Sequence, residues 1–570
     1  MDFEYFRMVL NDFTMKELLI INWLDNNLDK SINDRQSKIL YLLLEFCDDD
    51  MKEWTILKVE QALMAINELG FLNRNEEKKL DICLRTYLRS EKCSNIIVTP
   101  FVKICCGSRL NMSTGRNITV FNNNNSYIAT IMTGYCEECK RKYSHNYFIE
   151  DKQKFVTHES ILDSQIVYLG GEYAYEKTLI KLLSNSILYL HSGFENFTKC
   201  YNETKNSNTN NLDSNEGNLS PTRLQDFWFL YNFVTFSFFY ANSEQLKIPS
   251  SCDRQELVAL MDENYENMNS CFVNFWSLHK RRHSCGSNCS RAFVCDGFQK
   301  PSRFICSNVK KSSYNEELGL VQVGCGNRPD YDVKRKKDET DNDESILLPT
   351  NSKDMNIRTA LCRACKSNPT PEYIEEEFIT NSECNIDRNP RFVNGKVRSY
   401  GVIYTMYNCG IVVDFLEINL SEQVYVTLLH WMNMLRKIKD LSAIPRIFIY
   451  DNACSVWIYF KKRLHENKTI VPTELALFLD SCDLYIDRLH QKTHTRPMCL
   501  KDRNINTRPD LADVNTVICE QTNSWLKQYL NMLCNFSGER SKFYYLFLFH
   551  LLNCKRSSFY PEKHFNMKTF

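Results

Sequence analysis

The run Pro445-Arg-Ile-Phe-Ile-Tyr-Asp451-Asn-Ala-Cys454 decides how the rest of the chain is read. Ile447, Phe448, Ile449 and Tyr450 form a short β-branched and aromatic stretch of strand character that ends on a carboxylate, and an amphipathic segment from about Ala453 to His465 follows it. Whether Asp451 is surface charge or part of a site depends on what accompanies it.

Downstream, a short strand near Leu484 to Ile486 is followed by a helix expected over about Val514 to Leu533, with Glu520 one to two turns inside it. Upstream, Ser421 to Ile438 reads as a helix that starts at Ser421/Glu422 and packs Val424, Leu428, Leu429, Met432 and Leu435 inward. Before it, Ser399-Tyr-Gly-Val-Ile-Tyr-Thr-Met-Tyr407 and Ile411-Val-Val-Asp-Phe-Leu-Glu-Ile418 read as a β-hairpin turning at Asn408-Cys409-Gly410. Further back, Ala292-Phe-Val-Cys295 is a short strand ending at Asp296-Gly297, a dipeptide that signals a hairpin with a return strand through Phe304-Ile-Cys306. The order is then β, β-hairpin, α, β, α, β, α, that of an α/β ribonuclease H-like fold with a mixed sheet and flanking helices. In that fold the first strand, a central neighbour and a late helix bring three carboxylates together, and Asp296, Asp451 and Glu520 occupy those positions. Such an oxygen-rich site suits two Mg²⁺ or Mn²⁺ ions about 4 Å apart, as phosphoryl transfer requires.

Composition sets the outer bounds. A chain of 570 residues exceeds one core and predicts two to four structural units, and 43% hydrophobic with 25% charged residues is globular. A formal net charge of zero excludes a global pull toward nucleic acid. Contacts of that kind would come from local basic residues such as Lys280-Arg-Arg282, Lys461-Lys-Arg463, Arg488 and Lys492. No apolar run reaches the roughly 18 residues of a membrane span and the N-terminus lacks a secretory pattern, so a soluble intracellular protein without a membrane partner is expected. In a reducing compartment, 25 cysteines point to metal rather than disulfides.

The cysteines mark the domain plan. Residues 1–95 read as a helical N-terminal region, 96–160 as a cysteine-cluster module, and 161–282 as a helical region broken by the polar tract Asn202 to Asn211. The polar stretch Asn117 to Ser126 is left without an assigned structure. Residues 283–555 form the core with a cysteine-bearing insert at about 306–394, and 556–570 are a tail. In the first module Cys136-Glu-Glu-Cys139 can turn two thiolates toward one zinc ion. Its partner half, Cys105-Cys106, is adjacent rather than spaced by two, so one of that pair is expected to ligate, with His145 as candidate fourth ligand; a set of buried free thiols is the alternative. In the insert, Cys362-Arg-Ala-Cys365 has zinc-knuckle spacing and Cys306 with Cys325 can supply the other half. His283, Cys285 and Cys289 are looser candidates. The aromatic run Leu224 to Tyr240 reads as core rather than a base-stacking platform, because no Lys or Arg is interleaved through it.

Four pieces together carry a family likeness: Asp296-Gly-Phe-Gln-Lys-Pro-Ser-Arg-Phe-Ile-Cys306, Cys409-Gly410-Ile-Val-Val, Tyr450-Asp451-Asn-Ala-Cys454, and the block from Asp487 through Cys519-Glu520-Gln-Thr-Asn-Ser-Trp525. With the cysteines from Cys136 onward, they resemble the KDZ (Kyakuja-Dileera-Zisupton) transposases in their cysteine-cluster-bearing form, over about residues 95 to 555. The resemblance implies a nuclear DNA transposase with a DDE core and structural Zn²⁺ in its cysteine inserts. Its partners would be double-stranded DNA at transposon ends and target, with a homo-oligomer as an open option. On that basis Asp296, Asp451 and Glu520 are metal-binding catalytic carboxylates. His490, His494 and Cys499 form a further zinc site or brace the active centre, with Cys454, Cys482 or Cys519 as candidate fourth member. The alternative is a domesticated or decayed descendant, a zinc-containing DNA- or protein-binding protein without catalysis.

Overall fold

A computed structural model gives the fold and describes residues 20–22, 24–25, 36–37, 39–40, 55–69, 96–162, 164–208, 217–241, 244–250, 254–329, 361–367, 392–393 and 396–559. Most of the expected N-terminal helical region lies outside them; inside it, Ile56–Leu69 is a helix. The chain forms two compact units, Met1–Leu183 with Thr198–Arg223 and Glu244–Cys252, and Ser184–Phe197 with Leu224–Ser243 and Asp253–Phe570. The segment 161–282 is therefore not one helical region, because its pieces divide between the two units.

The first unit is built on a nine-stranded sheet. Its strands are β1 (Ile96–Val98), β2 (Asn111–Phe121), β3 (Ser126–Tyr135), β4 (Lys142–Tyr143), β5 (Tyr147–Glu150), β6 (Gln153–Thr157), β7 (Ile166–Val167), β8 (Tyr173–Glu176) and β9 (Gln245–Ile248). They run in the order β9-β6-β5-β4-β3-β2-β8-β7, with β1 also beside β3. The stretch Asn117 to Ser126 is the tip of the β2–β3 hairpin. Asn122 closes it, its Oδ1 accepting from the backbone N–H of Asn124 and Asn125 at 2.9 Å each, the local side-chain turn that Asn favours. Val98, Ile118, Val120, Ala129 and Ile131 alternate inward to make the core beneath that hairpin.

Helices α1 (Lys177–Leu190) and α2 (Phe194–Asn208) follow. The polar tract expected to break the helical region is itself helical from Asn202 to Asn208, and residues 209–216 lie outside the described ones. Long-range bonds hold it: Lys205 Nζ donates to Ser126 Oγ at 2.9 Å, and Asn202 exchanges bonds with the backbone of Leu219 at 3.1 and 2.9 Å. Composition could not reveal partners so distant in sequence.

The second unit holds α3 (Pro221–Ala241, from Leu224), α4 (Arg254–Ser277), α5 (His279–His283) and a five-stranded mixed sheet. The strands are β10 (Phe293–Phe298), β11 (Gly401–Tyr407), β12 (Val412–Ile418), β13 (Ile447–Tyr450) and β14 (Asp483–Tyr485), in spatial order β12-β11-β10-β13-β14. β11 is antiparallel to both β12 and β10, whereas β10, β13 and β14 are mutually parallel. Between and after them run α6 (Val424–Lys437), α7 (Ala453–Lys461), α8 (Glu474–Asp480), α9 (Ile518–Leu526) and α10 (Gly538–Ser557). All seven residues of β11 are buried, as a strand covered on both faces requires. The aromatic run of α3 is core: Phe229, Phe233 and Trp228 are buried, with Phe233 6.2 Å from Phe543 and Trp228 5.9 Å from Phe547 of α10, ring centre to ring centre. Among the described residues no helix is long and apolar enough to cross a membrane.

Three local expectations are corrected. Asp296-Gly297 is not a hairpin turn, because β10 runs straight through it with Asp296 opposite Tyr404 and Gly297 opposite Ile403. Phe304 makes an isolated bridge to Arg398 rather than starting a return strand. The helix expected from Val514 begins at Ile518, which places Glu520 in its first turn. There the free N–H groups of the helix start favour a negative side chain.

Candidate active site and metal centres

The parallel pairing of β10 with β13 sets Cys295 opposite Tyr450, so Asp296 is the next residue in β10 and Asp451 the first after β13, at the same edge of the sheet. Helix α9 is latched over this edge: Asn523 Nδ2 donates to Asp296 Oδ2 at 2.6 Å, and Tyr404 Oη donates to Cys519 O at 2.8 Å and to Asn523 Oδ1 at 2.6 Å. Glu520 and Asn523 are three residues apart on that helix and share its face. A fourth carboxylate, Glu422, joins them. It precedes α6, whose cap is Gln423, and accepts from Tyr450 Oη at 2.8 Å and from Gln299 Nε2 at 2.9 Å. A Cβ at position 297 would stand 1.9 Å from Glu422 Oε2, so the glycine makes room for that carboxylate beside Asp296.

All four acids are half-buried and repel one another. Burial, then Glu422, Asp451 and Glu520, push the Asp296 carboxyl well above the usual range. Burial and Glu422 push Asp451 up to about 7 against the opposing pull of His490. Burial also raises Glu422, partly offset by its bonds from Gln299 and Tyr450. An all-oxygen set whose charges are mutually unfavourable fits a hard divalent cation, which would relieve the repulsion.

His490 belongs to this edge and not to a sulfur site. Its Nδ1 lies 2.7 Å from Asp487 Oδ2, and that bond, together with the Asp451 and Glu520 charges, raises the imidazole to about 9 despite burial, so it carries a positive charge at neutral pH. Asp487 is fixed in turn by the N–H groups of Leu489 at 2.8 Å and His490 at 3.0 Å. His494 and Cys499 instead meet Cys454, their ligand atoms all within 4.8 Å of one another. The other two candidates for that group face elsewhere, Cys482 Sγ toward Phe478 O at 3.2 Å and Cys519 Sγ toward Val294 O at 3.4 Å.

Two groups of four cysteines converge as tetrahedral sets would. Cys105, Cys106, Cys136 and Cys139 all lie within 4.8 Å of one another, with Cys105 Sγ 3.4 Å from Cys139 Sγ and 3.7 Å from Cys106 Sγ. Both members of the adjacent pair face the centre because Cys106 adopts a left-handed backbone, φ 50°, which folds the turn back on itself. His145 is not the fourth ligand: its Nδ1 is 2.7 Å from Thr99 O and its Nε2 2.7 Å from Ser164 Oγ. In the second unit Cys306, Cys325, Cys362 and Cys365 are all buried and form a small core of their own with Leu361. The N–H groups of Cys362 and Asn308 point at Cys306 Sγ at 3.2 and 3.5 Å, and the Asn308 amide points at Cys365 Sγ at 3.4 Å, which favours thiolate sulfur. In both Cys-x-x-Cys turns the leading thiol is drawn down to about 7. For Cys136 the main cause is the backbone N–H of Cys139; at Cys362 burial opposes, and the N–H of Cys365 with the neighbouring thiols outweighs it. These cysteine groups can hold a metal such as zinc.

The basic residues named as possible nucleic-acid contacts are partly committed. Arg281 pairs with Asp440 at 2.6 Å, Lys461 with Asp480 at 2.6 Å, and Arg488 braces the carbonyls of Val514 and Leu511 at 2.5 and 2.7 Å. Lys492 is exposed. Sequence reading missed Glu422, taken as a helix start, and Asn523, whose three-residue spacing from Glu520 was visible; Asp487 was named without its role beside His490.

Residues 86–205 match the family model described as the CxC5 like cysteine cluster associated with KDZ transposases. That match supports a KDZ-type transposase and hence a transposase-related function. No curated protein and no solved structure matches the chain.

Proposed function

We propose that the chain is a KDZ-type DNA transposase whose five-stranded mixed sheet is a ribonuclease H-like catalytic core. The observation that carries this reading is the parallel register that sets Cys295 opposite Tyr450, with Asp296 and Asp451 the next residue on each side, and with α9 latched to Asp296 through Asn523. Asp296, Asp451 and Glu520 would hold Mg²⁺ or Mn²⁺, with Glu422 beside them as a further ligand or as the group that sets their charge. Two such ions, when bound, supply an activated oxygen nucleophile and stabilisation of the leaving oxygen.

The chain's own residues do the positioning. Tyr450 and Gln299 fix Glu422, Asn523 fixes Asp296, and Asp487 holds His490 as a cation that faces Asp451 and Glu520. In the cleavage step the water oxygen bonds to phosphorus, the P–O3′ bond breaks, and the 3′-oxygen leaves as a hydroxyl. In strand transfer that hydroxyl attacks a phosphodiester of the target and displaces its 3′-oxygen. The partner is double-stranded DNA in the nucleus, and joining two element ends would call for a homo-oligomer.

The test is nicking of a supercoiled plasmid that carries the DNA flanking the coding sequence, with Mg²⁺ or Mn²⁺. Asp296→Asn or Asp451→Asn should each lower the rate by about 10²-fold or more. Nicking that persists unchanged in Asp451→Asn protein would reject the catalytic assignment. DNA binding by gel shift with no cleavage in either metal would assign the non-catalytic alternative.

A further inference from the structure

We propose that His279, Cys285, Cys289 and Cys409 form a structural zinc site that fastens the turn of the β11–β12 hairpin to the segment leading into β10. One ligand atom from each of the four lies within 4.8 Å of all the others. Three thiols and one imidazole are the donor set of a closed, four-coordinate structural zinc centre.

A second observation points to a ligand independently of that convergence. His279 is 1% exposed, and neither Nδ1 nor Nε2 has a hydrogen-bond partner among the described residues. Burying an imidazole with both nitrogens unpaired is unfavourable, because each nitrogen gives up its hydrogen bond to water and receives none in return. Coordination of one nitrogen satisfies that atom and gives a polar ring a reason to sit in the interior. His283, the histidine that sequence spacing suggested, instead packs its ring 5.9 Å from Phe559.

The backbone is shaped to bring the four together. His279 opens the short helix α5 directly after α4. Gly286 at φ 132° and Ser290 at φ 51° bend the following loop, and Cys289 N–H donates to Gly286 O at 3.2 Å, closing the turn that carries two of the thiols. Cys409 arrives from the hairpin turn, where Gly410 has φ 96°. Beside it Asn408 ties the same pieces by hydrogen bonds. Its Oδ1 accepts from the N–H of Arg291 at 2.8 Å and of Ala292 at 3.2 Å, and its Nδ2 donates to Asn288 O at 2.8 Å. An ion at the four ligands would fasten the loop and the hairpin turn at the start of β10, three residues before Asp296 in that strand. This site would fix strand register and take no part in bond making, so it stands whether or not the chain cleaves DNA.

The experiment uses the full-length protein. Zinc per chain is measured by plasma mass spectrometry, and thiol accessibility by iodoacetamide labelling with peptide mapping before and after a strong chelator. Cys409→Ser should contain one zinc equivalent fewer than wild type, and Cys285, although exposed, should resist alkylation until chelator is added, whereas exposed Cys200 labels throughout. His279→Cys keeps the metal count, and in the Co²⁺-loaded protein it moves the visible ligand-field bands to longer wavelength as nitrogen is replaced by sulfur. That variant and the wild-type labelling decide the matter should Cys409→Ser fail to fold. Unchanged zinc in folded Cys409→Ser, labelling of Cys285 in untreated protein as fast as Cys200, or an unmoved Co²⁺ spectrum would each overturn the proposal.

Discussion

Around Cys306, Cys325, Cys362 and Cys365 the chain turns backbone and amide N–H groups toward sulfur, closes the site on all sides and makes the four thiols into a core. Around Asp296, Glu422 and Asp451 it does the reverse: carboxylates face one another, half-open to solvent, with one charged imidazole nearby. The first arrangement is closed and fits an ion that stays. The second is strained by like charge and open on one side, which suits a hard cation held by oxygen. Structural and catalytic metal sites differ in this way generally, in closure and in donor softness.

Removing metal from the closed site should have the largest effect. In Cys362→Ser protein, one zinc equivalent should be lost and amide hydrogen exchange in 306–327 and 361–367 should rise roughly a thousandfold, on the order of 4 kcal/mol of local stability. Unchanged exchange there would mean that the four thiols pack as an ordinary core. Next in size, Gly297→Ala drives a methyl group into Glu422 Oε2 and should destabilise the second unit by about 2–3 kcal/mol in denaturant melts. Combining it with Glu422→Ala should recover most of that loss, because the clash is with that side chain.

The open site makes a prediction of opposite sign. Asp451 is held at about 7 in the fold against 3.8 for the free group, so the native state takes up a proton that the unfolded chain releases. The contribution of this carboxyl to stability without Mg²⁺ is therefore full below pH 4 and declines as pH rises toward 7. Asp451→Asn should raise the melting stability above pH 7 by about 1 kcal/mol, given the solvent on one side, and the gain should vanish toward pH 4. A destabilised Asn variant at pH 8 would show that the carboxylate is satisfied rather than strained. The smallest effect is expected at His490: His490→Gln removes the cation that faces Asp451 and should move the midpoint of pH-dependent Mg²⁺ binding upward by roughly half a unit.

Much of the fold was legible because its signals are local. The apolar runs at Phe293, Val402 and Phe448 are strands, the hairpin turns at Asn408 to Gly410, and α6 buries Leu428, Leu429, Met432 and Leu435 as its spacing requires. Cys362 and Cys365 with Cys306 and Cys325 stand together as their spacing suggested. What misled were signals that are ambiguous without their surroundings. Asp-Gly signals a turn unless a neighbouring strand pairs with it, and Gly297 is there to clear Glu422. His490 and His494 look alike in sequence, but they diverge because Asp487 captures one and Cys454 meets the other.

By itself, then, the sequence determined the strand and helix order, the zinc-type cysteine spacing and the three acids at the ends of apolar or helical segments. Those features follow from backbone periodicity and from ligand geometry within a few residues. Only the tertiary structure decided that Glu422 joins Asp296 and Asp451, that His145 and His490 leave the sulfur sites, and that His279 meets Cys409. Each of these depends on the pairing and packing of segments far apart in the chain, where register and the cost of leaving a buried polar group unpaired select the partner.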